Sequence, residues 1–187
     1  MASPPWILLS SRLPREPTRL RLAVWRRLKR LGAVLLHDAL WVLPADPRTR
    51  EAFEWLAQEI EEQGGTVWVW EAASLSTEQD RHVVEQFRRE ADARYREIGA
   101  TAQAIRDAML GGRRRGRRAR PPEPAAVSQA LRQLRGLERA LRLEHRRDYF
   151  RSPGRAAASA GVRAAIAELD ARRPGARRTG VALALGD

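Results

Sequence analysis

The first 75 residues alternate between strand and helix periods, an order that few folds accommodate. Residues 6–11 (WILLSS) are a short apolar run fit for a buried strand. Pro14 and Pro17 punctuate the loop that follows. Over residues 18–31, Leu20, Val24, Leu28 and Leu31 recur at helical spacing and mark one face. Gly32 comes next, where a helix-ending glycine belongs. Residues 33–36 and 39–43 are two strand-like runs broken at His37-Asp38, a hairpin pattern closed by Pro44. Asp46-Pro47 offers an N-cap followed by proline at the first helical position. Phe53, Leu56, Ala57 and Ile60 form the next helical stripe, and Gly64-Gly65 stops it. Residues 66–71 (TVWVWE) read as a fourth strand.

The resulting order, βαββαβ, is the split βαβ arrangement of ferredoxin-like folds, expected over residues 1–75. Two helices on one face of four strands would bury these stripes together. In TVWVWE, Val67 and Val69 share one side and Trp68 and Trp70 the other. If the valines meet the helices, the two indoles line the open face of the sheet. There they could stack bases, or be covered by a third helix or a second subunit. The lack of a Lys/Arg-Gly-aromatic signature favours covering.

Residues 76–172 read as helical, which makes the chain α+β: a ferredoxin-like module followed by two long helices and a short one. Ser76 and Gln79 have the spacing of a capping box. Val84, Phe87, Ala91, Tyr95, Ile98, Ala102, Ile105 and Met109 then follow at steps of three or four. A helix of some 34 residues spans about 50 Å, too long for one small sheet. It is expected to project, to need a partner helix, and to lie near the interface of a homodimer. Residues 111–124 (GGRRRGRRARPPEP) read as a loop by composition. Residues 125–147 return to helix, with Val127, Leu131, Leu134, Leu137 and Leu141 on one side. Val162, Ala165, Ile166 and Leu169 suggest a last helix from about Pro153, and residues 173–187 read as a disordered tail.

Charge divides the chain unevenly. There are 35 Lys+Arg and 23 Asp+Glu, a net charge of +12, and Lys29 is the single lysine. A GC-rich coding bias explains arginine over lysine but not the distribution. Residues 1–75 hold 10 basic and 9 acidic side chains, residues 76–110 hold 6 and 7, and residues 111–187 hold 19 and 7. The whole excess lies in the last part, which points to a polyanionic partner there and suggests that a fragment ending at residue 110 is a folded, nearly neutral module. Arg132, Arg135, Arg139, Arg142 and Arg146 fall within an arc about 80° wide on their helix, bordering its apolar side. They could bind anions, or form a solvated flank pairing with Glu85, Glu90, Asp92 and Glu97 of the long helix. Arg114, Arg115, Arg117 and Arg118 lie in the Arg-rich linker, where Glu123 is the nearby acid. A basic arm of this kind neutralises phosphates, or serves merely as a solubilising linker. These nine arginines are the candidate nucleic-acid or anion-binding residues, with duplex DNA the expected partner. Arg19, Arg21, Arg26, Arg27, Lys29 and Arg30 of the first helix face a second helix rich in Glu51, Glu54, Glu59, Glu61 and Glu62. The two sets neutralise each other, or the first is a nucleic-acid or self-association surface.

Several chemistries lack their residues. With no cysteine, disulfides, thiolate metal sites and thiol catalysis are excluded. His37, His82 and His145 are far apart in sequence, with neither HxH nor HExxH spacing. No phosphate-binding glycine loop and no GxSxG motif occurs, so the expectation is a protein that is not an enzyme and needs neither cofactor nor metal. No signal peptide and no apolar run of membrane-spanning length is evident, which suggests a cytoplasmic protein without membrane contact.

The run from WILLSS through PREPTRLRLAVWRRLKRLGA and LHDALWVLP to EEQGG resembles the N-terminal domain of the ChrB family of bacterial chromate-resistance regulators. The similarity continues through QFRREADARYREI and RRDYF, covering about residues 5–170, and is weakest in the linker. It implies a transcription regulator of chromate resistance. In the family a chromate-resistance domain follows this region, and the sequence is expected to lack it. The implied role is a DNA-binding regulator whose arginines could also take an oxyanion such as chromate. The alternative is an interaction subunit for a separately encoded chromate-resistance domain. The βαββαβ part also resembles modules of phenylacetate-pathway repressors and of small CRISPR adaptation nucleases. Where those nucleases place a metal-binding aspartate, this sequence has Ser10 and Ser11, which do not suit Mg²⁺.

Overall fold

The computed structural model describes residues 5–14, 16, 18–110, 113–114, 117–118 and 122–172, with the backbone alone at 113–114 and 117–118. Its elements run β1 (Trp6–Arg12), α1 (Thr18–Leu31), β2 (Val34–His37), β3 (Leu40–Pro44), α2 (Pro47–Glu62), β4 (Thr66–Ala72), α3 (Thr77–Leu110), β5 (Arg113–Arg114), β6 (Arg117–Arg118), α4 (Pro124–Arg147) and α5 (Gly154–Asp170). Contacts separate two compact units. One is the chain up to Glu90 with Arg147–Arg151; the other is Ala91–Arg146 with the chain from Ser152 onward.

In the first unit the four strands lie in the order β2-β3-β1-β4, every neighbouring pair antiparallel, as a ferredoxin-like βαββαβ module requires. Both helices end as their glycines foretell. Gly32 N–H donates to Lys29 O and Ala33 N–H to Leu28 O; Gly64 N–H and Gly65 N–H donate likewise to Glu61 O and Ile60 O. Each pair is a Schellman motif, with the first glycine at φ 79° or 77°. Because Ala33 is used in closing α1, the strand begins at Val34. At Gly32 the backbone also admits no side chain, since a Cβ there would lie 2.7 Å from Arg147 Cβ. α2 opens on a capping box in which Asp46 Oδ1 accepts from Thr49 N–H and Thr49 Oγ1 accepts from Asp46 N–H.

Ile7 and Leu9 of β1 and Val67 of β4 are buried with Val24 and Leu28 of α1 and Phe53, Leu56 and Ile60 of α2. The opposite face carries Trp6, Leu8 and Ser10, with cross-strand partners Ala72, Trp70 and Trp68 on β4. The start of α3 covers one end of it. Trp6 stacks on Phe87 at 6.0 Å between ring centroids, and its Nε1 donates to Asp80 Oδ1 at 2.8 Å. Phe150 closes on both rings, and Tyr149 meets Phe87 edge-on. The indoles of Trp68 and Trp70 stay 59% and 48% exposed, so within this unit the third helix covers Trp6 and not that pair.

Arg147–Arg151 is tied to the end of α1. Arg147 Nη1 donates to Lys29 O and Tyr149 Oη to Leu31 O, two carbonyls that a helix C-terminus leaves without intrahelical partners. A fragment ending at residue 110 would therefore lack part of this core, contrary to the expectation from charge alone.

The second unit packs the rest of α3 with α4 and α5. Tyr95 and Ala102 meet Val127, Leu131, Leu134 and Leu141 of α4 and Val162, Ala165 and Leu169 of α5. The long helix thus finds the helical partners its length demands. Arg94 Nε binds Glu144 at 2.6 Å, and Arg106 Nε binds Glu168 at 2.8 Å. Asp92 Oδ1 accepts from Ser152 Oγ at 2.5 Å and from Gly154 N–H at 2.8 Å, which fastens the start of α5. These bonds, with help from Arg96, hold the Asp92 carboxyl below the usual carboxylate range. A depressed folded-state pKa contributes stability that is present above the unfolded pKa of about 3.9 and is lost as pH falls through the folded value. Asp92→Ala should therefore cost about 1–3 kcal/mol in urea unfolding at pH 7. The deficit should shrink at pH 3 and below.

Within the linker, read as a loop, Arg113–Arg114 pairs antiparallel with Arg117–Arg118. The ladder is made by backbone groups, so side-chain composition gave no sign of it. The tail expected at 173–187 lies outside the described residues.

Candidate polyanion-binding surface

α4 owes its two faces to its sequence. Val127, Ala130, Leu131, Leu134 and Leu141 recur on the buried side, joined there by Glu144. Arg132, Arg135, Arg139, Arg142 and Arg146 are all exposed. The decisive point is the fate of the two acids of this helix. Glu144 is 1% exposed and turned inward to Arg94, and Glu138 pairs with Arg142 one turn away at 3.6 Å. Among the described residues, neither acid pairs with Arg132, Arg135 or Arg139.

Two of the acids proposed as their partners are engaged within their own units. Glu90 pairs with Lys29 at 2.7 Å, and Asp92 is held by Ser152 and Gly154. Among the described residues of the second unit, Arg132, Arg135 and Arg139 form no ion pair with Glu97. The stripe is thus a row of guanidinium groups on a rigid helix, with Arg146 at its end. Arg114, Arg117 and Arg118 are placed by their backbone in β5 and β6; their side chains, and Arg115 as a whole, lie outside the described residues.

Gly136 sits within this helix. A Cβ there would meet only Arg139 Nη2, the end of a flexible side chain, at 3.8 Å. Gly136→Ala should raise stability by about 0.5–1 kcal/mol in chemical denaturation. Gly154→Ala should do the opposite, since its Cβ would fall 2.8 Å from Asp92 Oδ1.

A second basic surface lies on the first unit. A concavity of about 480 Å³ beside α1 is lined by Arg26, Arg27, Lys29, Arg30 and Arg147, with Glu59 as its acid. Arg27 pairs with Glu59 at 3.2 Å, so the two helices neutralise each other in part. Lys29 instead reaches Glu90 and lies 5.5 Å from the Trp41 ring centre. The sequence singled out the α1 cations but not Arg147, which joins them from 117 residues beyond Arg30.

The histidines stay apart. His37 lies 3.6 Å from Asp38 in an exposed turn, His82 faces Gln86, and His145 contacts Ser159 and the Tyr95 ring. Among the described residues, no three His, Asp or Glu side chains gather as metal ligands. Among them too, no helix is long and apolar enough to cross a membrane.

A two-unit protein of a ferredoxin-like module and an arginine-faced helical assembly is thus defined. The chain belongs to the family described as "Protein ChrB, N-terminal", which it matches over residues 21–172. It is 32% identical over 75 residues to Protein ChrB of Cupriavidus metallidurans, a match covering 40% of this chain and 23% of that protein. The chain thus spans about a quarter of the length of this curated relative. No solved structure matches it.

Proposed function

We propose that the protein is a non-enzymatic regulator of chromate resistance that binds duplex DNA through the arginine face of α4, acting as a homodimer. Membership of the ChrB family supports the regulatory role. The observation that carries DNA binding is the row Arg132, Arg135, Arg139 and Arg142 on a helix that turns one of its two acids inward to Arg94 and pairs the other with Arg142. Guanidinium groups at helical spacing neutralise successive phosphates and release condensed counterions. The Arg-rich linker that precedes this helix in the sequence would add to its charge, and sequence-specific contacts would be made from the α4 surface. Because arginine also binds tetrahedral oxyanions through paired N–H groups, chromate or sulfate would compete with phosphate here.

The test is a titration of the intact protein against a labelled duplex from upstream of its own gene, at 50 and 200 mM salt. With six phosphate contacts, affinity should fall about a thousandfold between the two. Binding that ignores salt, or no binding at the lower concentration, would refute the reading.

A further inference from the structure

We propose that the outer edge of β4 is where two copies of this chain join, strand against strand, into one continuous antiparallel sheet. The inference rests on the dimeric reading above and names its interface. β4 is the outermost strand on the β1 side, and among the described residues its backbone bonds go to β1 alone. Among the described residues, its outward N–H and C=O groups are therefore an open row. The opposite edge is of a different kind: β2 has four residues and an irregularity between Leu35 and His37, features that discourage pairing. β4 has seven residues, TVWVWEA, with no proline, lysine or arginine to block an incoming strand.

The strand is also complementary to itself. A two-fold axis through Val69 sets Val69 against Val69, Trp68 against Trp70, Val67 against Glu71 and Thr66 against Ala72. All seven residues then pair. Glu71, the single charge, meets a valine rather than a second carboxylate, and within its own subunit it is already held by Arg50. Directly opposed residues share a face, so the pairing gathers four indoles. Trp68 and Trp70 are already stacked in each copy, 6.3 Å apart and within 6° of parallel. They form exposed aromatic surface at a sheet edge, which an added strand carrying the same pair would cover. A symmetric pairing also places the α1 and α2 layers of both copies on one face of the joined sheet.

The experiment uses the full chain, which has no native cysteine. Opposed residues in an antiparallel pair have Cα atoms about 4.5–5.5 Å apart, within disulfide range. Val69→Cys should therefore become a covalent dimer under mild oxidation, whereas Trp55→Cys, on exposed α2 surface, should not. Sedimentation equilibrium should show the parent as a dimer at tens of micromolar. The double variant Trp68→Lys/Trp70→Lys should retain its circular dichroism and melting while its dimer dissociation constant rises at least about tenfold. A dimeric parent whose Val69→Cys variant does not cross-link, or whose double-lysine variant dimerises unchanged, places the interface elsewhere and overturns the β4 assignment alone. A monomeric parent overturns both the assignment and the dimeric reading. Loss of a strand from another protein, or of single-stranded nucleic acid, on introducing the lysines would then identify a different occupant of the edge.

Discussion

Replacing Arg135, Arg139 and Arg142 together by alanine should leave α4 folded and weaken duplex binding roughly tenfold or more at moderate salt, with a shallower salt dependence. The three side chains are exposed, and alanine is the better helix former, so helical content should hold or rise. Among the described residues, only the Arg142–Glu138 pair is lost, worth about 0.3–0.5 kcal/mol at the surface. Each phosphate contact removed should lower the slope of log K against log salt by about 0.9. Replacing Arg114, Arg115, Arg117 and Arg118 should reduce the slope by roughly 3 and add to the effect of the stripe. Unchanged affinity and slope in both variants would mean that the charge excess is a coding bias displayed on a solvated surface.

Phe87→Ala should cost about 3–5 kcal/mol, the range for removing a buried aromatic ring. Its ring lies between Trp6, Tyr149 and Phe150, with centroids 6.0, 6.0 and 5.3 Å away. Its loss opens a cavity where α3 and Arg147–Arg151 cover the sheet. Leu75→Ala is the control: Leu75 is 99% exposed, and its loss should shift stability by no more than about 0.5 kcal/mol. Denaturant unfolding measures both changes. A cost below about 1 kcal/mol at Phe87 would show that the aromatic cluster contributes little to the first unit.

What the residue pattern disclosed, and what it hid, follow from how far the determining interactions reach. α1 is legible because Leu20, Val24 and Leu28 repeat on one face and Gly32 closes it, all within fifteen residues. α2 is legible from Asp46-Pro47 at its start and Gly64-Gly65 at its end. The side of β4 that carries Trp68 and Trp70 follows from strict alternation. The docking of Tyr149 and Phe150 beside Trp6 leaves no periodic trace, because it joins segments more than 140 residues apart. Nor could spacing show that Glu144 turns inward to Arg94, which decides the charge of the α4 surface. The arginine stripe was visible as an arc, but spacing could not show that Asp92, offered as one of its partners, is held by Ser152 and Gly154.

The claim that α4 presents the polyanion-binding face is tested most directly by arginine-specific modification of the intact protein with phenylglyoxal, with and without duplex DNA, read residue by residue by mass spectrometry. Arg132, Arg135, Arg139 and Arg142 should be protected by the duplex, while Arg19, Arg26 and Arg30 of α1 should react at the same rate in both samples. Protection of the α1 arginines with the α4 row reacting unchanged would contradict the account and move the site to the first unit.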